Sequence, residues 1–397
     1  MRSLPSPNCR ANRWFLRAPL ALVLLAASFG SACRTTCTDA PPSAKSADAS
    51  PSTKGTDAPP SAKGADLPPD RRVPSGGGAQ RPSVRDDADV VHADLLPAGI
   101  VARSTAGRLL APMEYPPDAR AKREGRLEEA RAALERAPDD AELLVAYGRR
   151  LGSLGHFREA IAAFTRGIEL HPDDARFWRH RGHRWISVHD FARARRDLEH
   201  AAALLEGRPE EPEPPSEPST RAVEPDTLQR NVHYHLGLAC WLAGDAEAAI
   251  KAWRTCATYS RGPDALCSVS HWLWCALREL GRDDEARAVL APIRADLGVV
   301  ENGAYHALLL VYRGEKDEDA LLAEARAKGG ASNDLATIGY GLAHRWIVDG
   351  EKEKGLALLR ETASLSNWAA FGCIAADAEL ARRVSRRALA PGGENPR

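Results

Sequence analysis

The feature that most limits what this chain can become is a small residue returning at a fixed interval. Gly148 and Ala160 stand 12 residues apart, as do Gly182 and Ala194, and Gly237 and Ala249. Small side chains let two backbones approach, so this spacing predicts a helix packed closely on the helix that follows it. Gly148 and Gly182 are 34 residues apart; Gly182 and Gly237 are 55 apart, one such step lengthened by the 21 residues of the block Gly207 to Thr227. That block therefore reads as a loop inserted between units, not as a broken helix. Pro138-Asp139-Asp140 and Pro172-Asp173-Asp174 recur with the same 34-residue step. Each couples a proline that ends one helix with an Asp able to cap the next. A chain that repeats helix pairs in this way folds as a stack.

Composition agrees with an all-helical body. Ala, Arg and Leu, good helix formers, are abundant, and the β-branched and aromatic runs of sheets are scarce. Hydrophobic residues make up 44% of the chain, enough for a core. Lys+Arg and Asp+Glu number 54 each, so the basic excess of a general nucleic-acid binder is missing and any electrostatic preference is local.

The unit Leu144-x-x-Tyr147-Gly148-x-x-Leu151, Ala160-x-x-x-Phe164, Pro172 resembles the tetratricopeptide repeat. Two further copies follow: Trp178, Arg181, Gly182 and Trp185 with Ala194 and Leu198, then His233, Leu236, Gly237 and Cys240 with Ala249 and Trp253. Later units are looser, marked by turn glycines at Gly244, Gly281, Gly314 and Gly350, and Trp274 stands where the fourth unit should have its small residue. The resemblance implies an all-α, tetratricopeptide-like α-solenoid over about 118–387. Its expected parts are a first helix and units in 118–206, the acidic insertion at 207–227, further units in 228–366, a capping helix at 367–387 and a tail at 388–397. A terminal cap is needed because the last unit otherwise exposes the face meant for a neighbour.

The amino terminus resembles an export signal. Arg2, Arg10, Arg13 and Arg17 precede the uncharged run Ala18 to Gly30, and Gly30-Ser31-Ala32-Cys33 follows. Small residues before a cysteine are similar to the lipobox of bacterial lipoproteins, which implies cleavage after 1–32, lipidation of Cys33 and anchoring in the cell envelope, with the outer membrane favoured because Arg34 is not Asp. A general signal peptidase cut at the same bond and an uncleaved anchor are the alternatives. The segment 33–87 repeats TDAPPSAK at Thr38 and Thr56 and buries too little apolar surface to offset the entropy of ordering, so it reads as a disordered tether. A moderately apolar strap at 88–117 is expected to lie on the first helices.

In the repeat family the first helices of successive units line a concave groove that takes a peptide or a partner's helix. Carried onto this chain, that places Arg149, Arg176, Arg179 and His183 on the groove side, with Tyr234, Trp241 and His271 continuing the surface. Arg forks suit carboxylates, so the expected partner is a protein or peptide with acidic character. The insertion carries Glu210, Glu211, Glu213, Glu217, Glu224 and Asp226; it is either a spacer or a strand of pseudo-ligand folded back onto the arginines. No phosphate-binding glycine loop, GxSxG or HExxH occurs, so no catalytic residue, cofactor or metal is assigned. The competing readings are a metal-dependent enzyme using His180 and His183, three apart on one helical face, and a purely architectural part of an envelope assembly. Cys240, Cys256, Cys267, Cys275 and Cys373 are expected as buried free thiols, with a Cys256–Cys267 bridge as the alternative.

Overall fold

A computed structural model describes residues 96–214 and 225–389; the expected signal, Cys33 and tether lie outside the described residues. The described chain opens with a short antiparallel hairpin, β1 (Ala102–Arg103) and β2 (Leu109–Leu110), the one departure from an all-helical reading. Fourteen helices follow among the described residues: α1 (Pro117–Arg136), α2 (Ala141–Ser153), α3 (Phe157–Leu170), α4 (Ala175–Ser187), α5 (Phe191–Leu205), α6 (Leu228–Ala243), α7 (Ala246–Tyr259), α8 (Gly262–Glu279), α9 (Asp283–Leu290), α10 (Gly303–Tyr312), α11 (Glu318–Ala327), α12 (Asn333–Val348), α13 (Lys352–Ala363) and α14 (Phe371–Leu389). Six consecutive pairs run from α2/α3 to α12/α13. The fold is an α-solenoid of helix pairs, with α1 before it and α14 after it.

Side chains start these helices where the sequence placed capping residues. Asp140, Asp174, Asp190, Thr227, Asp245 and Asp317 each accept a hydrogen bond from a backbone N–H in the first turn of the next helix. The repeated glycine has a definite partner. A Cβ at Gly148 would overlap the ring of Phe164, at Gly182 the side chain of Leu198, and at Gly237 the indole of Trp253. The glycine thus admits the large residue 16 positions on, while Ala160, Ala194 and Ala249, fully buried, line the same seam. Trp274, the exception, stacks flat on Tyr312 at 3.7 Å between ring centroids, and its unit continues into a second helix of only 8 residues.

The turns inside five of the pairs use a glycine at positive φ: Gly155, Gly244, Gly281, Gly314 and Gly350. The second pair has His189 there, at φ 64°. A non-glycine residue in this region is strained, and contacts hold it: Thr105 approaches His189 Nδ1 through its amide at 3.3 Å and its hydroxyl at 3.1 Å.

The solenoid closes on itself. α14 packs on α12 and α13 and also reaches the first helices of much earlier units: Phe371 lies against His183 of α4 and against Tyr234 and His235 of α6, and Arg382 donates to the Leu242 carbonyl at 2.7 Å. The hairpin is tied to the same helix. Ser104 Oγ and the Ala106 amide donate to Asp377, at 2.8 and 3.0 Å, and Trp368 Nε1 donates to the Ala111 carbonyl at 2.9 Å while packing against Phe157. The terminal helix therefore does more than shield the last unit; it occupies part of the hollow that the first helices line.

Candidate functional site

The seven residues placed on the groove side separate into three groups. Tyr234, Trp241 and His271 are core residues, 7%, 3% and 0% exposed. Their polar atoms are used internally: Trp241 Nε1 donates to Tyr340 Oη at 2.8 Å, Tyr234 Oη accepts from Trp272 Nε1 at 2.9 Å, and His271 stacks on Tyr312. Burial holds the His271 imidazole down to about 3. These three do not continue an open surface, because α12 and α14 fold over the helices that carry them. His183 is half-buried, its ring 4.2 Å from that of His235, and desolvation followed by the Arg184 charge keeps it well below the usual imidazole range.

Arg176 is a structural brace. Its guanidinium bonds Asp174, the cap of its own helix, and reaches Glu142 on α2, and these carboxylates raise its already high pKa. Two neighbours on α4 behave similarly. Arg181, fully buried, forms a fork–fork pair with Asp197 at 2.7 and 2.8 Å. Arg184 has a carbonyl rather than a carboxylate: it donates to Gly152 O at 3.4 Å, at the carboxyl end of α2, where Arg123 also donates to Ser153 O. The negative end of that helix offsets the part-buried cation, and desolvation lowers its pKa to about 9.

Arg149 and Arg179 remain, and both hold the insertion. After α5 the chain turns at Gly207 and runs extended to Pro214, with Pro212 bridged antiparallel to Thr227, the Glu213 amide donating to Asp226 O at 2.8 Å and the Leu228 amide to Glu211 O at 2.8 Å. This neck turns Glu213 onto the face shared by α4 and α6. Glu213 Oε1 lies 3.2 Å from Arg179 Nη2 and 3.5 Å from His180 Nε2, and Oε2 accepts from Asn231 Nδ2 at 3.0 Å. Arg149 Nη2 donates to the Pro214 carbonyl at 2.7 Å. Arg179 Nη1 lies 2.9 Å from His180 Nδ1 and is the donor there, which leaves the hydrogen of a neutral ring on Nε2, the atom facing Glu213. Burial first, then the Arg179 charge, holds His180 well below its ordinary pKa, so the ring is neutral at pH 7. The Arg179 and Glu213 side chains are each 8% exposed.

His180 and His183 face different partners, the first between Phe164 and Glu213, the second against His235 and Phe371. Among the described residues no group of three or more His, Cys, Asp or Glu side chains is placed to hold a metal ion. The Cys256–Cys267 bridge is not made: the five described cysteines are free, buried thiols, and burial raises Cys256 to about 11 and Cys267 to about 12. A cavity of about 430 Å³ lies where α14 passes the α6–α7 turn. Its charges are matched locally, Asp245 with Arg195 and Glu379 with Arg383. Among the described residues no helix is long and apolar enough to cross a membrane.

Residues 141–183 match the profile of the tetratricopeptide repeat. A comparison with curated proteins finds no match. Among solved structures the chain is similar to YrrB, a TPR protein with an unusual peptide-binding site, at 14% identity over 66% of this chain and 99% of that one, with a TM-score of 0.35. It is also similar to nearly identical TPR-like repeats of a putative kinesin light chain from Podosopora anserina, at 15% identity over 57% and 93% of the two chains, with a TM-score of 0.33. The stretch 141–183 matches a tetratricopeptide repeat, and the described body stacked around it is an all-α solenoid of helix pairs.

Proposed function

We propose that this chain is a non-catalytic, envelope-anchored scaffold that binds an acidic protein or peptide segment on the face formed by α2, α4 and α6. The observation that carries the reading is the seating of Glu213 and Pro214: an extended acidic segment lies across Arg149, Arg179, His180 and Asn231, and a partner's segment finds the same groups. Affinity comes from charge-assisted hydrogen bonds at a partly dry surface, and selectivity from the position of the carboxylate relative to the following carbonyl. The groove is shorter than in an open solenoid, since α14 fills the part beyond α6.

Anchoring is supported by the Arg-rich start, the apolar run Ala18 to Gly30 and the small residues before Cys33. Labelled fatty acid should enter the wild-type chain and not Cys33→Ala; equal labelling of both removes lipidation at this cysteine.

Binding is tested by capture from envelope extracts on the lipid-free chain, side by side with Arg149→Ala. The expected result is a partner whose capture weakens in the variant and falls with salt, with cross-links mapping to α2, α4 and α6. Capture indifferent to Arg149, with cross-links on the second helices α3 and α5, overturns the assignment of this face.

A further inference from the structure

We infer that the segment Glu211-Pro212-Glu213-Pro214 is a weak built-in competitor, and that the partner is an extended, proline-flanked acidic peptide whose carboxylate displaces Glu213 from Arg179. The inference rests on the reading of this face as a partner site and specifies what enters it.

The way Glu213 is held shows a ligand that fits incompletely. Arg179 Nε is buried and has no hydrogen-bond partner. Its guanidinium gives Nη1 to His180 and Nη2 to a single Glu213 oxygen at 3.2 Å, while the other oxygen turns away to Asn231. Two residues along the same helix, Arg181 shows the full arrangement, Nε and Nη2 each holding one oxygen of Asp197. A side-on carboxylate is the group that completes the Arg179 fork, and an orphaned buried donor is unfavourable until one arrives. Glu213 is prevented from turning side-on by its own neck. The Pro212–Thr227 bridge and the bond from its amide to Asp226 O fix its backbone. A carboxylate on a separate chain has no such restraint.

The seated segment also fixes the backbone of the partner. Glu211 is fastened to α6 by its amide, which donates to Gln229 Oε1 at 3.0 Å; beyond it Pro212 and Pro214 have no N–H, and Glu213-Pro214 offers the arginines a carboxylate and, one residue later, the carbonyl taken by Arg149. Proline on both sides of the acid holds φ in the extended range and lowers the entropy lost on docking.

The test uses the full chain with synthetic peptides followed by fluorescence anisotropy: PEEPEP, the sequence of residues 209–214, and PQQPQP as the uncharged control. Glu213→Gln keeps the side chain's shape and removes its charge; Glu213→Ala guards against an amide that stays seated. Apparent affinity scales with the competent fraction, so either variant should bind PEEPEP more tightly than the wild type, by about tenfold for a face about one-tenth free. PQQPQP should bind none of them. Adding Arg179→Lys to Glu213→Gln should abolish the gain, since an ammonium cannot make the fork. Folded variants that bind PEEPEP no more tightly than the wild type overturn the inference, as does equal binding of PQQPQP. The two readings fail separately. A partner captured through Arg149 equally by wild type and Glu213→Gln leaves the scaffold standing and removes the competitor. Tighter PEEPEP binding by the variants without any Arg149-dependent partner does the reverse.

Discussion

Whether α14 is a permanent wall of the interior or a segment that a partner pushes aside is decided by Glu379. This residue, 3% exposed, joins α14 to the rest of the fold: its carboxylate accepts from Arg383 Nε and Nη2 at 2.9 and 2.6 Å and from Tyr340 Oη at 3.2 Å, and lies 3.2 Å from His344 Nδ1. The other His344 nitrogen lies 3.1 Å from the Cys275 carbonyl, so the ring bridges α14 and α8. Burial alone would raise the Glu379 pKa, but the charges and hydrogen bonds of His344 and Arg383 outweigh it and hold the group at about 2, against an ordinary 4.5. The difference of roughly 2.5 units corresponds to a contribution on the order of 3 kcal/mol. The pKa is depressed in the folded state, so this stability is fully present above about pH 4.5 and is lost as pH falls toward 2. Glu379→Gln should therefore cost about 3 kcal/mol at pH 7, within the ~3–5 kcal/mol expected when one member of a buried pair is removed. The gap between wild type and variant should close toward pH 2. Urea denaturation at pH 7 and pH 3 measures the gap, and hydrogen exchange in α14 reports whether the loss is local to that helix. A cost under about 1 kcal/mol at pH 7, or a gap independent of pH, refutes the reasoning and makes α14 a displaceable occupant.

Asp197→Ala strands the fully buried Arg181 and should destabilise by ~3–5 kcal/mol, whereas Arg181→Met with Asp197→Leu should recover most of that loss, as read from a double-mutant cycle. The same substitution should have opposite signs at two glycines. Gly125, in α1 with open space around it, gains about 0.5–1 kcal/mol as Ala, while Gly237→Ala drives into Trp253, whose Nε1 donates to Tyr234 O at 3.1 Å, and should lose about 1–3 kcal/mol in the same melts. Cys240, Cys256, Cys267, Cys275 and Cys373 should resist a thiol reagent at pH 8 in the native state and react together on unfolding, because burial raises every one of their pKa values. Reaction of any of them at the rate of a free peptide thiol contradicts their placement.

The helix pairs were legible because local rules fix them: a glycine with a large residue 16 positions on, an Asp capping several of the helices, a turn glycine at positive φ in five of the six pairs. Each of those devices acts within one unit, and the 34-residue step repeats it. The site was legible only in part, because its chemistry depends on which units meet at long range. Of the α4 arginines, the sequence reading put Arg176 and Arg179 together on the groove side; the fold gives Arg176 a cap and α2, Arg179 an insertion, Arg181 a buried Asp and Arg184 a helix terminus. The signal that could have separated them was the presence or absence of a carboxylate on the following helix: Asp197, 16 residues after Arg181, is the counterpart of Leu198 opposite Gly182, whereas nothing at that distance serves Arg179. Tyr234, Trp241 and His271 were misplaced for a related reason. Groove-side residues of an open solenoid are exposed, and the reading carried no term for a terminal helix that crosses back. NWAAFGCIAADAELARR did contain a warning, since a cap that covers only one neighbour needs one apolar stripe and no buried acid, yet Asp377 and Glu379 sit inside its apolar run. Two acids so placed require donors on two sides, and the hairpin with His189 on one side and α12 with His344 on the other supply them. The closure that removes most of the expected groove thus leaves Arg149 and Arg179 to the chain's own insertion, which seats Glu213 and Pro214 on them.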